Sequence, residues 1–330
     1  LYSSSSHGPS EDGLRGNFIV APASGIWSAA ADGDVLSFND DMRMSSGTSM
    51  ATPLGASITA VIQQMVQDGW FTENGFVPSG PLLRALLALS SESMEGGEQG
   101  GENVGPAPGP LQGWGRPNLD RLVNYTENGS AESVWIHDSF RLMGGDQGEL
   151  ASEWLSTNGS RPLEQVTSSL WNGSDAGGPF LKEGGNVSWN LSLVPGESLE
   201  VFLSFNQRPF GSVSDDLNII VELSNGTYIE TNDSMEGTEY ILIPAANLSG
   251  FDTVVIRVVA DSVGVGNHTN VLGSDGDMLG FALAVRGVRG EVIEPEPEPE
   301  PEPAPVDSDG DGIDDEFDQC DHSGWDGLDP

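Results

Sequence analysis

The chain has 330 residues, of which 51 are Asp or Glu and 12 are Lys or Arg, giving a formal net charge of −39 at neutral pH. So acidic a balance disfavours nucleic acid and anionic membranes as partners and favours solubility in salty water and cation binding. No apolar run reaches membrane-spanning length, Lys182 is the only lysine, and the single cysteine, Cys320, has no partner for a disulfide within the chain.

Along the chain, the first pronounced element is a small-residue elbow, Ser46-Gly47-Thr48-Ser49-Met50-Ala51-Thr52-Pro53. After Ser49, the apolar residues Leu54, Ile58, Val61, Ile62 and Met65 recur at helical spacing, which predicts a buried helix of about 15 to 18 residues starting at the serine. Pro53 is expected in its first turn, where no N–H is missed. A serine at such a start meets two needs of a nucleophile: exposure, and backbone N–H groups with a favourable dipole for an oxyanion. Gly47 lets a substrate backbone approach closely. Taken alone, the same pattern also fits a serine cap on an ordinary core helix.

Helical signals stop near Tyr125. From about residue 130 to 290 the pattern turns to strands. Val187–Val194 is followed by a Pro195-Gly196-Glu197 turn, then by Leu199–Phe205, Leu217–Leu223, Tyr240–Ile243 and Val254–Val259. Short strands split by Gly, Asn and Asp turns predict a β-sandwich or jelly roll. Asp215 and Asp216 have the chemistry of calcium ligands, but carboxylates at strand edges are mostly solvated, and no site is assigned to them. After Ile293 the dipeptide Glu294-Pro295 repeats through Glu302-Pro303. Fixed φ and like charges make that stretch an extended, stiff spacer. Beyond it, Asp307, Asp309 and Asp311 alternate, Gly312 allows the sharp turn, the Ile313 carbonyl follows, and Asp315 and Asp318 close the series. That is the oxygen cage a cation of calcium's size requires, with Asp318 in the place usual for Glu.

The Gly-Thr-Ser-Met-Ala-x-Pro run from Gly47 to Pro53 resembles the nucleophile motif of the subtilisin-like serine proteases. Upstream, Ser3 to Gly13 and Ile19-Val20-Ala21-Pro22 resemble the family's Ser-Ser-x-Gly-Pro loop, Asp-Gly turn and Ala-Pro-Gly strand end. Downstream, Pro81–Leu89 and then Gly113-Trp114-Gly115-Arg116-Pro117-Asn118 resemble its closing helix pair with the Gly-x-Gly turn between. Ala23 departs from the usual Gly, and Leu54 from the His that often follows the motif's Pro. The resemblance implies Ser49 as nucleophile, its backbone N–H facing the oxyanion, and Thr48 in a supporting role. In this family the catalytic Asp and His precede the serine in their own Gly-rich motifs, and the 48 residues before Ser49 hold one histidine, His7, at a non-catalytic position. The expectation is therefore the C-terminal part of a longer protease, with Asp, His and the oxyanion Asn upstream.

The strand-rich block loosely resembles the jelly-roll domain that follows the catalytic domain in some secreted alkaline subtilases, with Phe205 where Trp is usual. The terminal acidic loop with Cys320 resembles a thrombospondin type 3 repeat, which implies calcium as the cofactor and a cysteine partner in a neighbouring repeat. The expected architecture is multidomain: a partial α/β subtilisin-like domain over 1–124, an all-β jelly-roll or sandwich domain over 125–290, a Glu-Pro linker over 291–305 and a calcium-binding repeat over 306–330. Ten Asn-x-Ser/Thr sequons, from Asn124 to Asn267, agree with a secreted or cell-surface location, although a turn-rich composition produces them too.

Together these readings imply a secreted, calcium-dependent serine endopeptidase acting on proteins or peptides. It would need no nucleic acid and no membrane span, and the C-terminal repeat could attach it to a cell surface. The rival reading is a calcium-binding adhesion or surface protein with a non-catalytic subtilase remnant.

Overall fold

The structure is a computed structural model that describes residues 1, 3–11, 13–123, 133–141, 178–207, 215–233, 236–264 and 279–291. All of them belong to one compact unit, Leu1–Val292; a second unit, Ile293–Pro330, lies outside the described residues. A hairpin of β1 (Ile26–Ala29) and β2 (Met42–Ser45) leads into helix α1 (Thr48–Gln67) and then α2 (Gly80–Leu89). Two-residue strands follow: β3 (Ser91–Glu92) pairs with β6 (Arg116–Pro117), and β4 (Glu98–Gln99) with β5 (Glu102–Asn103). The α/β character expected over 1–124 is thus present as two helices with short antiparallel pairs. Among the described residues no parallel sheet occurs.

The strand-rich block forms a sandwich of two antiparallel sheets. Strands β7 (Val134–Asp138), β9 (Leu199–Phe205), β12 (Thr238–Ile243) and β14 (Phe281–Arg286) make a four-stranded sheet in the order β12-β9-β14-β7. Opposite it, β8 (Asn186–Leu193), β10 (Asp215–Leu223), β11 (Tyr228–Glu230), β13 (Thr253–Val263) and β15 (Val288–Glu291) run in the order β11-β10-β13-β8-β15. The two-residue period decides what fills the interior. Leu199, Val201, Leu203 and Phe205 of β9, with Phe281, Leu283 and Val285 of β14, meet Leu217, Ile219, Val221, Ile256 and Val258 of the facing sheet.

The other face of the four-stranded sheet is covered as well, so every residue of β9 is buried. Phe202, Ala282 and Ala284 share a second core with Leu82, Ala85, Leu86 and Leu89 of α2 and with Ile62, Met65 and Val66 of α1. Two alanines on β14 let the helix approach closely, and the result is three layers: helices, sheet, sheet. α2 begins on a Ser79 cap whose hydroxyl accepts the Leu82 N–H at 3.2 Å, with Pro81 in the first turn. Asp138 of β7 accepts the Ser79 N–H at 2.8 Å and so ties helix start to sheet edge. No helix among the described residues is long and apolar enough to cross a membrane.

A charge sits in this second interface. Glu200 of β9 points to the helical side at 6% exposure, where Arg121 Nη2 reaches both its oxygens at 3.1 and 3.0 Å and Arg286 also bonds it. Burial of Arg286 lowers its pKa to about 10, and one carboxylate between two guanidiniums repays the desolvation of all three only while intact. Replacement Glu200→Gln should cost about 3 kcal/mol of stability, because it leaves two half-buried cations facing each other. Urea unfolding checks this: a loss under about 0.5 kcal/mol would show the triad to be dispensable.

His137 of β7 lies among the rings of Trp189 at 4.7 Å, Phe281 at 5.3 Å and Trp135 at 6.3 Å. Desolvation there lowers its pKa from 6.5 to about 4. The unfolded chain therefore binds this proton more readily than the folded one between those values, so stability falls as pH drops from 6.5 through about 4. Thermal melts across that window should show a shallower slope for His137→Phe than for the parent, and equal slopes would rule the imidazole out as a source.

Candidate active site

Ser49 stands in the first turn of α1 and is exposed, as is Thr48. The elbow is stitched to the preceding strand end by two bonds: the Gly47 N–H donates to Ala23 O at 2.8 Å, and the Gly25 N–H to Ser46 Oγ at 2.9 Å. Gly47 caps the helix with φ +143°, a backbone that L side chains rarely adopt. No atom lies within 4 Å of where a Cβ would stand, so conformation, not space, demands glycine there. The Met50 and Ala51 N–H groups fold back onto Gly47 O at 3.0 and 3.4 Å. Thr48 and Ser49 precede the first N–H donors that fold back on the helix, Met50 and Ala51, which leaves their own N–H groups at the positive end of the helix for a ligand. Gly47→Ala should therefore strain the elbow by about 1 kcal/mol or more and displace Ser49. A thermal midpoint and a Ser49 reactivity unchanged in Gly47→Ala would contradict that account.

One expectation needs correction. Pro53 lies inside α1, not in its first turn. An i→i−4 bond from position 53 would end on the Ser49 carbonyl, so the proline removes that donor and leaves this carbonyl outside the helical ladder. Thr52 Oγ1 compensates nearby by donating to Thr48 O at 3.0 Å. The buried face of α1 is confined to Gly55, Ile62, Met65 and Val66, while Val61 is exposed. The helix is thus anchored by its C-terminal half, and its start projects.

The flanking segments are brought together as their motifs suggest. The Trp114 backbone N–H donates to Phe18 O at 2.8 Å and the Val20 N–H to Gly115 O at 2.9 Å, so the Gly113-Trp114-Gly115 turn lines up with the Phe18–Val20 segment. A Cβ on Gly115 would fall 2.0 Å from Glu92 O, which accounts for the second glycine. Trp114 then packs edge-on against Phe202 at 4.7 Å and Tyr240 at 5.3 Å of the sandwich. Arg15 stacks over it at 4.5 Å and pairs with Glu236 at 3.1 Å.

No base is brought to Ser49 by the described residues. His7 is exposed, with Nδ1 2.9 Å from its neighbour's carbonyl, Gly8 O. His137 is held in the aromatic cluster of the sandwich. His268 and His322 lie outside the described residues, as do Asp307, Asp309, Asp311, Ile313, Asp315, Asp318 and Cys320. Sequence reasoning missed the Glu200 triad. Its signal was Phe202, an aromatic on the same strand face as Glu200, which announced that the face is covered.

Residues 1–115 match the subtilase family, Peptidase S8. Among curated relatives, the serine protease/ABC transporter B family protein tagB of Dictyostelium discoideum is 31% identical over 183 residues, covering 46% of this chain and 9% of that protein. The related tagD of the same organism is 33% identical over 111 residues, covering 29% of this chain and 6% of that protein. The chain thus spans less than a tenth of the length of these relatives. Among solved structures, the CUB1-EGF-CUB2 region of human MASP-1/3 aligns with 34% of this chain and 39% of that one at 18% identity and a TM-score of 0.20, too slight a likeness to bear on the fold. The serine-bearing segment is subtilase-like, and relatives named as serine proteases are similar to the chain over part of its length.

Proposed function

We propose that the chain is the C-terminal portion of a secreted, calcium-dependent subtilisin-like endopeptidase in which Ser49 attacks the scissile carbonyl of protein or peptide substrates. The observation that carries this reading is the exposed Ser49 in the first turn of α1, behind a glycine whose φ of +143° only that elbow requires. The hydroxyl forms an acyl-enzyme, and the free N–H groups of the helix start receive the oxyanion. An Asp–His pair upstream of these residues in the longer protease removes and returns the proton. Thr48 supports the turn. The sandwich, read as a jelly-roll domain, holds α2 and the Trp114 turn in place. Calcium is assigned to Asp307, Asp309, Asp311, the Ile313 carbonyl, Asp315 and Asp318, in a repeat that attaches the enzyme to a surface.

Fluorophosphonate labelling beside casein hydrolysis tests the nucleophile. In a polypeptide that joins this chain to the Asp- and His-bearing part of the domain, Ser49→Ala should abolish labelling and lower hydrolysis by a factor on the order of a million. The 330 residues alone should hydrolyse no casein. Undiminished hydrolysis by Ser49→Ala would overturn the assignment.

A further inference from the structure

The strand-rich part of the chain carries a modification pattern that the serine site does not use. Ten of the thirteen asparagines between Asn124 and Asn270 are followed two places on by Ser or Thr, against none of the five before them. Ser and Thr fill 27 of the 150 positions from 121 to 270, so composition alone would give about two such triplets. Turn chemistry does not account for the excess either, because Asn186 and Asn190 lie inside β8, where no turn asks for the triplet.

The structure describes five of these asparagines, Asn186, Asn190, Asn225, Asn232 and Asn247, and every one is exposed. Asn218 of β10, by contrast, is buried, donates its amide to Asp261 Oδ2 at 2.9 Å and has Ile220 in the hydroxyl position. Asn186 and Asn190 are on the outer face of the five-stranded sheet, paired across the strand with Val259 and Val255. Asn225 and Asn232 flank β11, the sheet's edge, whose Tyr228 and Ile229 are exposed. Asn225 Oδ1 accepts the N–H of Thr227, its own triplet's hydroxyl residue, at 2.9 Å, so the turn uses the carbonyl and not the amide nitrogen. Asn247 ends the short helical turn Ala245–Asn247. The helices pack on the other sheet, away from β8 and β11.

We propose that Asn186, Asn190, Asn225, Asn232 and Asn247 carry N-linked glycans, donated by a lipid-diphosphate-linked oligosaccharide during export. In that transfer a bond forms between asparagine Nδ2 and the sugar's anomeric carbon, and the bond from that carbon to the diphosphate oxygen breaks. The lipid diphosphate leaves with the electron pair, and Nδ2 gives up one proton. A bulky, hydrophilic sugar is compatible with the fold only where the surface leaves it in water, as all five positions do. On β8 the sugars lie beside the half-buried Val255 and Val259, and at the two ends of β11 they keep that edge from pairing with another chain. The proposal rests on the secreted location in the reading above and not on the role of Ser49.

Glycopeptide mass spectrometry of the native protein, separated by the compartment it is recovered from, is the test. Protein from outside the cells should carry sugar on most of the five asparagines. Thr227→Ala, at an exposed turn position, should remove the sugar from Asn225 alone. Ser188→Ala should remove it from Asn186 alone and serves where the first variant fails to fold. Bare asparagines at these positions on extracellular protein would overturn the proposal and leave the secreted location standing, whereas bare asparagines on protein confined to the cytosol would overturn both. Sugar that persists on Asn225 in Thr227→Ala and on Asn186 in Ser188→Ala would show that the triplet is not what is read, and would overturn the assignment too.

Discussion

Burial of β9 and β14 on both faces is the constraint on which the arrangement depends. A sandwich of two sheets normally leaves its outer faces to water, and alternation then places polar residues there. Here the outer positions of the four-stranded sheet are Phe202, Ala282 and Ala284, which would be exposed without α2. The helix in turn has an apolar face that needs the sheet. Neither partner is complete alone, so the segment bearing Ser49 and the sandwich share one interior. Asp138 at the start of α2 and Glu200 between two arginines fix the orientation of that contact with directional bonds, which apolar packing alone does not supply.

The consequence for the serine is mechanical. α1 is held to α2 through Ile62, Met65 and Val66, at its far end, and the elbow is fixed separately through Ala23 and Ser46. Ser49 therefore projects from a helix clamped at the opposite end, with its orientation set by Gly47 and by the strand end at Ala23. The Trp114 turn adds a third anchor, since its backbone bonds the Phe18–Val20 segment while its ring packs on the sandwich.

Much of the strand layout was legible. β9 begins and ends where alternation placed it, at Leu199 and Phe205; β10, β12 and β13 extend the expected strands by one to a few residues, and β8 lies one residue earlier than expected. The elbow at Ser46 to Pro53 was legible because its small residues admit few alternatives. Other features left weaker marks. Pairs such as β3 with β6 are two residues long and carry no period to detect. The helix began at Thr48, which put Pro53 beyond the first turn, because helix starts are set by capping geometry more than by apolar spacing. Asp216, expected as a solvated strand-edge group, is buried beside a register shift between β10 and β13, a pairing property that Asp216 itself does not encode.

The β1–β2 hairpin has a colloidal consequence. Trp27, Met42 and Met44 are largely exposed on its strands, and Val35, Leu36 and Phe38 at its tip almost fully so. This adhesive ridge sits on a molecule whose sequence carries a charge of −39. The two forces differ in reach: like-charge repulsion extends about 10 Å at 0.1 M salt and shrinks to about 3 Å at 1 M, whereas apolar contact acts only on touching. Dilute buffer therefore keeps molecules apart before their ridges meet. Brine removes that barrier, so the solubility in salty water that the acidic composition favours belongs to the charged surface, while the ridge is left free to self-associate.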